Sequence, residues 1–173
     1  MRALGLDIST LVIGFSVIID RQLIDVGVIN LTKIKDIFIK LNYSADEIRC
    51  LVDKHKIESI FVEQRLMGFQ VKRSSARTLM MLAQFNFGIQ YICYTLGIVP
   101  KLINASHARK IVFGKSTAPK GVDTKKFFLE MVKTLFPYVK FPKTRNNTYK
   151  PIAFDMADAI VIGWTGVLED SNV

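Results

Sequence analysis

Hydrophobic and polar positions change their period several times along the chain, and each change predicts an element. Residues 2–9, 12–19 and 22–30 are short runs rich in Val, Ile, Leu and Phe, with breaks at Ser-Thr-Leu-Val-Ile-Gly and Asp-Arg-Gln. Such runs bounded by turn formers predict three strands, and connections this short predict an antiparallel meander. From Thr32 to Lys56, Ile34, Ile37, Phe38, Leu41, Ile48, Leu51 and Val52 recur at helical spacing. Residues 57–64 read as a buried strand. Residues 74–96 read as a long helix closed by Gly97. Residues 98–103 form another strand, 105–113 a short helix ended by Gly114, and 122–136 a helix stopped by Pro137. A basic loop with prolines, 138–151, leads into a last apolar helix. A meander followed by alternating helices and strands predicts an α/β fold, with a mixed sheet flanked by α-helices on both faces.

The long helix is apolar on two sides. Leu82, Phe85, Ile89, Ile92 and Leu96 mark one, and Leu79, Met80, Ala83, Phe87, Tyr91 and Tyr94 the other. One face serves the core, and the second predicts a contact with another copy of the chain. At 173 residues and 50% hydrophobic, the chain builds one full core, so residues 1–173 read as a single domain without repeats or a linker.

Against this apolar background, four acids stand out. Asp7 lies inside Ala-Leu-Gly-Leu-Asp-Ile-Ser in the first strand, and Glu63 ends Ile-Phe-Val-Glu-Gln in a central one. Asp155 and Asp158 sit three apart in the final helix, which puts both carboxylates on one face, one turn apart. Anions set against a core are costly unless a cation neutralises them. Singly, each has a structural explanation; together they converge if the final helix packs beside the two strands. Oxygen-only ligands point to Mg²⁺ or Mn²⁺, two ions in one site, rather than Zn²⁺. Paired metals beside a basic surface suit phosphodiester hydrolysis. No Ser-His-Asp or Cys-His arrangement competes, and His107 reads as a polar helix start.

The charge supports an anionic partner. Lys and Arg total 24 against 15 Asp and Glu, a net of +9. The excess is local, since residues 101–150 carry twelve basic residues and only Asp123 and Glu130 as acids. A concentrated field of this kind fits a surface that tracks phosphates. Lys72, Arg73 and Arg77 at the start of the long helix are further phosphate candidates, as are Lys115, Lys120 and Arg145 in the loops. Gly-Lys-Ser-Thr at 114–117 lacks the first glycine of a phosphate loop, because Arg109 occupies that position. Cys50 and Cys93, both in apolar helical patterns, predict reduced, buried thiols. Asp7 and Ser9 interrupt any signal-peptide reading of the N-terminus, and no long uncharged run suggests a membrane helix. The expectation is a cytoplasmic protein, host cytoplasm for a phage-encoded chain.

Asp7, Val-Glu-Gln at 62–64 and Asp-Met-Ala-Asp-Ala at 155–159 resemble, in order and spacing, the RuvC-type Holliday junction resolvases of the RNase H-like superfamily. The resemblance runs through almost the whole chain and includes Arg109 and Lys125, at positions where that family keeps basic residues near the scissile phosphate. It implies a Mg²⁺-dependent homodimer that nicks four-way DNA junctions, with Asp7, Glu63, Asp155 and Asp158 as catalytic, metal-binding acids and the long helix at the dimer interface. The chain departs from the pattern where many members place a wedge Phe; Leu66 stands there, with Phe69 close behind. The loop at 138–151 is also longer and more basic than usual. A divergent member acting on junctions, forks and flaps would fit. Two other readings remain at this point: an actin-like ATP-binding domain, suggested by Asp-Ile-Ser-Thr-Leu-Val-Ile-Gly at 7–14, and a non-catalytic module that binds branched DNA.

Overall fold

The computed structural model describes residues 1–64 and 76–170, so Leu66, Phe69, Lys72 and Arg73 lie outside the described residues. Strands β1 (Arg2–Ile8), β2 (Val12–Ile19) and β3 (Gln22–Asn30) form the expected antiparallel meander. The β2–β3 turn is Asp20–Arg21, both with positive φ, 49° and 61°. Two such residues make the tight turn whose twist matches a hairpin. Strands β4 (Ser59–Gln64) and β5 (Lys101–Asn104) extend the sheet in parallel, giving the order β3-β2-β1-β4-β5.

Among the described residues, five helices cover this sheet. Helix α1 (Ile37–His55) starts at Asp36, whose carboxylate accepts from the Phe38 and Ile39 amides, and α2 (Ala76–Thr95) leads to Gly97 at φ 83°. Asn104 caps α3 (Ala105–Phe113), and Gly114, at φ 72°, ends it. Asp123 caps α4 (Thr124–Leu135), and α5 (Pro151–Asp170) closes the described chain. Side chains of each strand alternate between two cores. Ala3, Ile18 and Phe61 face α3, α4 and α5, whereas Leu4, Leu6, Ile8, Ile60 and Val62 face α1 and α2.

Three expectations change. The inward face of α1 is Lys40, Ser44, Ile48, Leu51 and His55, while Phe38, assigned inward from its apolarity, is 76% exposed. Counting back by helical turns from Ile48 leads to residues 44 and 40, which are polar, so apolarity misjudged the face. Cys50 lies off that face and is exposed; only Cys93 is buried. Finally, α5 is long and apolar enough, by length and composition, to cross a bilayer. It runs instead across β1 and β2 and packs on α3 and α4, so most of its apolar surface meets protein.

Candidate active site

Helix α5 approaches the sheet closely because the facing residues are small. A methyl group on Gly5 would lie 2.6 Å from the Ala159 carbonyl oxygen, and one on Gly14 would lie 2.2 Å from the Asp155 carbonyl oxygen. Between them, the buried Ser16 hydroxyl donates to the Ala159 carbonyl at 2.8 Å. These contacts bring α5 against β1 at Gly5 and against β2 at Gly14 and Ser16. Gly14 is the register partner of Asp7, so Asp155 sits directly over the strand pair that carries Asp7.

Glu63 reaches the same place by register. Gly5 pairs with Phe61 and Leu6 with Val62 across the parallel β1–β4 ladder. Asp7 and Glu63 follow next on the two strands, and by strand alternation both share the face of Ala3 and Phe61, which α5 covers. Asp7 and Glu63 thus lie near the C-terminal ends of the parallel strands, where α/β sheets carry ligand chemistry, with Asp155 packed over Gly14 beside Asp7 and the charge of Glu63 acting on Asp158.

Asp158 shows the electrostatic state of this cluster. Its carboxyl is raised above the ordinary 3.8, mainly by burial and further by the charge of Glu63, while Arg109 and Lys125 pull it back. The Arg109 guanidinium donates to Asp158 Oδ1 at 3.3 Å and lies over the Phe128 ring, 4.8 Å from its centre. Arg109 therefore bonds Asp158, while Lys125, exposed on α4, acts on it through its charge. Lys115, Lys120, Arg145 and Arg77 are exposed on the surface. His107 is bound to Glu169 at 2.5 Å, eleven residues beyond Asp158 and so about 16 Å along the helix axis; it has no part in the site.

Lys40 is a residue that sequence reasoning missed. It is buried on α1, and its ammonium donates to the Thr10 carbonyl in the β1–β2 turn. In the same turn, Ser9 Oγ accepts from the Val12 amide at 3.0 Å and donates to the Val12 carbonyl at 2.7 Å. Together these bonds fix the turn just beyond Asp7. The available signal was a lysine one turn before Ser44 and two before Ile48, on a helix whose inward face was misassigned.

The fold is an RNase H-like α/β architecture of the RuvC type. Thermus thermophilus RuvC in complex with a Holliday junction substrate superposes with a TM-score of 0.72 at 10% identity, over 99% of this chain and 96% of that one. The yeast mitochondrial Holliday junction resolvase gives a TM-score of 0.56 at 16% identity, over 98% and 80%. Fowlpox virus resolvase with its junction DNA gives 0.54 at 14%, over 97% and 99%. No protein-family model matches the sequence, and no curated protein matches it. At these identities the likeness is one of fold.

Among the described residues, no three Asp, Glu, His or Cys side chains are drawn into a ready cation cage. The donor set nevertheless fits a hard divalent ion. It is all carboxylate, as Mg²⁺ and Mn²⁺ prefer. A divalent ion would also favour the charged form of the Asp158 carboxyl, which burial first and then Glu63 raise despite Arg109 and Lys125.

Proposed function

We propose that the chain is a metal-dependent endonuclease that nicks four-way DNA junctions, and forks and flaps with them, by phosphodiester hydrolysis. Support for this reading comes from the RuvC-type sheet with α5 packed across it, which sets Asp155 over the strand partner of Asp7 and brings Asp158 within the field of Glu63, Arg109 and Lys125. Bound Mg²⁺ or Mn²⁺, two ions in this reading, would supply an activated water and stabilise the leaving 3′-oxygen. Asp7, Glu63, Asp155 and Asp158 hold that positive charge. Arg109 and Lys125 orient the scissile phosphate through charge-assisted hydrogen bonds. Gly14 keeps the helix acids in step with the strand acids, and Lys40 steadies the turn beyond Asp7.

The substrate class is supported by two structural neighbours that are complexes with Holliday junction DNA and by the basic stretch at 101–150. The functional unit in this reading is a homodimer acting in the cytoplasm. Support for the dimer comes from α2, where Met80, Phe87, Tyr91 and Tyr94 are all more than half exposed. An apolar row of that kind is unusual on a monomer surface.

The test compares end-labelled four-way junctions, forks, flaps and an RNA-containing duplex, each with Mg²⁺, with Mn²⁺ and with chelator. Nicks near the branch point that need the cation are expected. Intact branched DNA in both metals would overturn the reading, and cutting confined to the RNA strand would reassign the substrate.

A further inference from the structure

A second recess opens on the α4 side of the first turn of α5. It encloses about 430 Å³ and is lined chiefly by Lys126, Glu130, Lys133, Lys143, Tyr149 and Phe154. That size is within the range of small-ligand pockets. One wall is aromatic, with the Tyr149 and Phe154 rings meeting edge-on at 6.4 Å. Phe154 immediately precedes Asp155 in α5.

The loop that closes this recess is built, although its sequence is almost wholly polar. Lys143 and Tyr149 pair as an antiparallel bridge. The Thr144 amide donates to the Thr148 carbonyl at 2.7 Å, and the Asn147 amide to the Thr144 carbonyl at 3.1 Å. Asn147 has φ 60°, the left-handed conformation that asparagine tolerates at the end of a three-residue hairpin loop. Tyr149 ties the hairpin to α4, donating its hydroxyl to Glu130 Oε1 at 2.8 Å and accepting from the Lys133 ammonium at 3.4 Å.

The charges inside the recess are unequally engaged. Asp123 caps α4 by accepting from the Lys126 amide at 2.7 Å, and Glu130 accepts from Tyr149. The ammonium of Lys143 donates to Asn147 Oδ1 at 2.8 Å and stands over the Tyr149 ring, 5.2 Å from its centre. Lys133 also pairs with Glu130 at 3.6 Å; an ammonium has three donors, so Lys133 and Lys143 still keep donors for an incoming anion, and Lys126, Lys133 and Lys143 outnumber Asp123 and Glu130 in the lining. Lysines facing an aromatic wall match a phosphate joined to a flat base.

We infer that this recess binds one nucleotide of a single-stranded DNA segment, its base against Phe154 and Tyr149 and its phosphate on Lys126, Lys133 and Lys143. The inference rests on the nuclease reading for which strand arrives, an unpaired arm leaving the acids, while binding itself is separable from cutting. It explains an extended basic hairpin beside an RNase H-like site and favours forks and flaps with a free single strand over fully paired junctions.

The test uses a ten-nucleotide oligo-dT carrying one 5-iodouracil, with fluorescence anisotropy for affinity and photocrosslinking for position. Crosslinks at Tyr149 or Phe154 are expected. Phe154→Leu should weaken oligo-dT binding by about 5- to 150-fold, the loss expected for one stacked base. Lys126→Gln with Lys133→Gln should flatten the salt dependence by about 0.7 for each phosphate that is no longer neutralised. Should Phe154→Leu unfold, the surface variant Lys143→Gln replaces it. Absent oligo-dT binding, crosslinks confined elsewhere, or variants with wild-type affinity would each overturn the inference. Junction cleavage with unchanged oligo-dT affinity in the variants overturns the recess alone. Oligo-dT binding without cleavage of any branched substrate overturns the nuclease reading alone.

Discussion

Burial raises the Asp158 carboxyl, and the direction of that shift makes a prediction. The folded carboxyl titrates above the ordinary 3.8, chiefly through burial and then through Glu63. The folded state therefore holds that proton more tightly than the unfolded chain. The stability this gives is fully present below the unfolded value and is lost as pH rises through the folded one. In chelator at neutral pH the ionised carboxylate is a burden, so Asp158→Asn should melt at a higher temperature than wild type, with the gap closing on acidification. A lower melting temperature for the variant at neutral pH would contradict this. The cysteines give a simpler reading at the same scale. Burial pushes the Cys93 thiol up to about 12, while Cys50 is exposed. Maleimide should label one thiol in the folded protein and two after unfolding, since reaction needs an accessible thiolate. Two fast labels on the native protein would mean that the α2 face of the core opens. The acids themselves were legible as residues, because a carboxylate inside an apolar strand or helix is conspicuous. Cys50 and Lys40 were not, because they depend on the rotation of α1, and a helix with apolar residues on several sides does not declare which one turns inward.

Among the elements, α5 shows how the site is assembled. Its acids were readable from their spacing, but the means of pressing them onto the sheet were not. That role falls to Gly14, Gly5 and Gly163, whose only property here is the absence of a side chain where two backbones meet. Gly5 and Gly163 are 158 positions apart, and small residues leave no period to read. Gly14→Ala would set a methyl group against the Asp155 carbonyl, so α5 must move. The expected cost is about 1–3 kcal/mol of stability, as for other overpacked cores, with nicking reduced by more than the loss of folded protein explains. Denaturant unfolding and single-turnover cleavage measure the two parts, and a variant with unchanged stability and rate would show that α5 is not held at this point. The hairpin at 143–149 is the reverse case. Its sequence reads as a featureless basic loop, and only the pairing of Thr144 with Thr148 and of Tyr149 with Glu130 turns it into a wall.

For the whole molecule, the antiparallel meander and the two-faced mixed sheet followed from the change of period along the chain, whereas the order β3-β2-β1-β4-β5 came only with the structure. Assembly is less determined. The row of Met80, Phe87, Tyr91 and Tyr94 is large, apolar and exposed, and a junction with two opposed strands to cut needs two sites. Phe87→Glu should halve the mass seen in sedimentation velocity while leaving the circular dichroism spectrum unchanged. Wild type sedimenting at the monomer mass of 19.6 kDa at micromolar concentration would remove the dimer. The central claim is that the four acids form a nuclease centre, and its most direct test uses a labelled four-way junction with Mg²⁺, comparing wild type with Asp155→Asn. Paired nicks near the branch point in wild type are expected. They should fall by about a thousandfold in the variant, as several kcal/mol of lost transition-state stabilisation implies, while junction binding persists. Wild type that binds the junction but leaves it uncut, and fails equally on forks and flaps, would contradict the account and leave a protein that binds branched DNA without hydrolysing it.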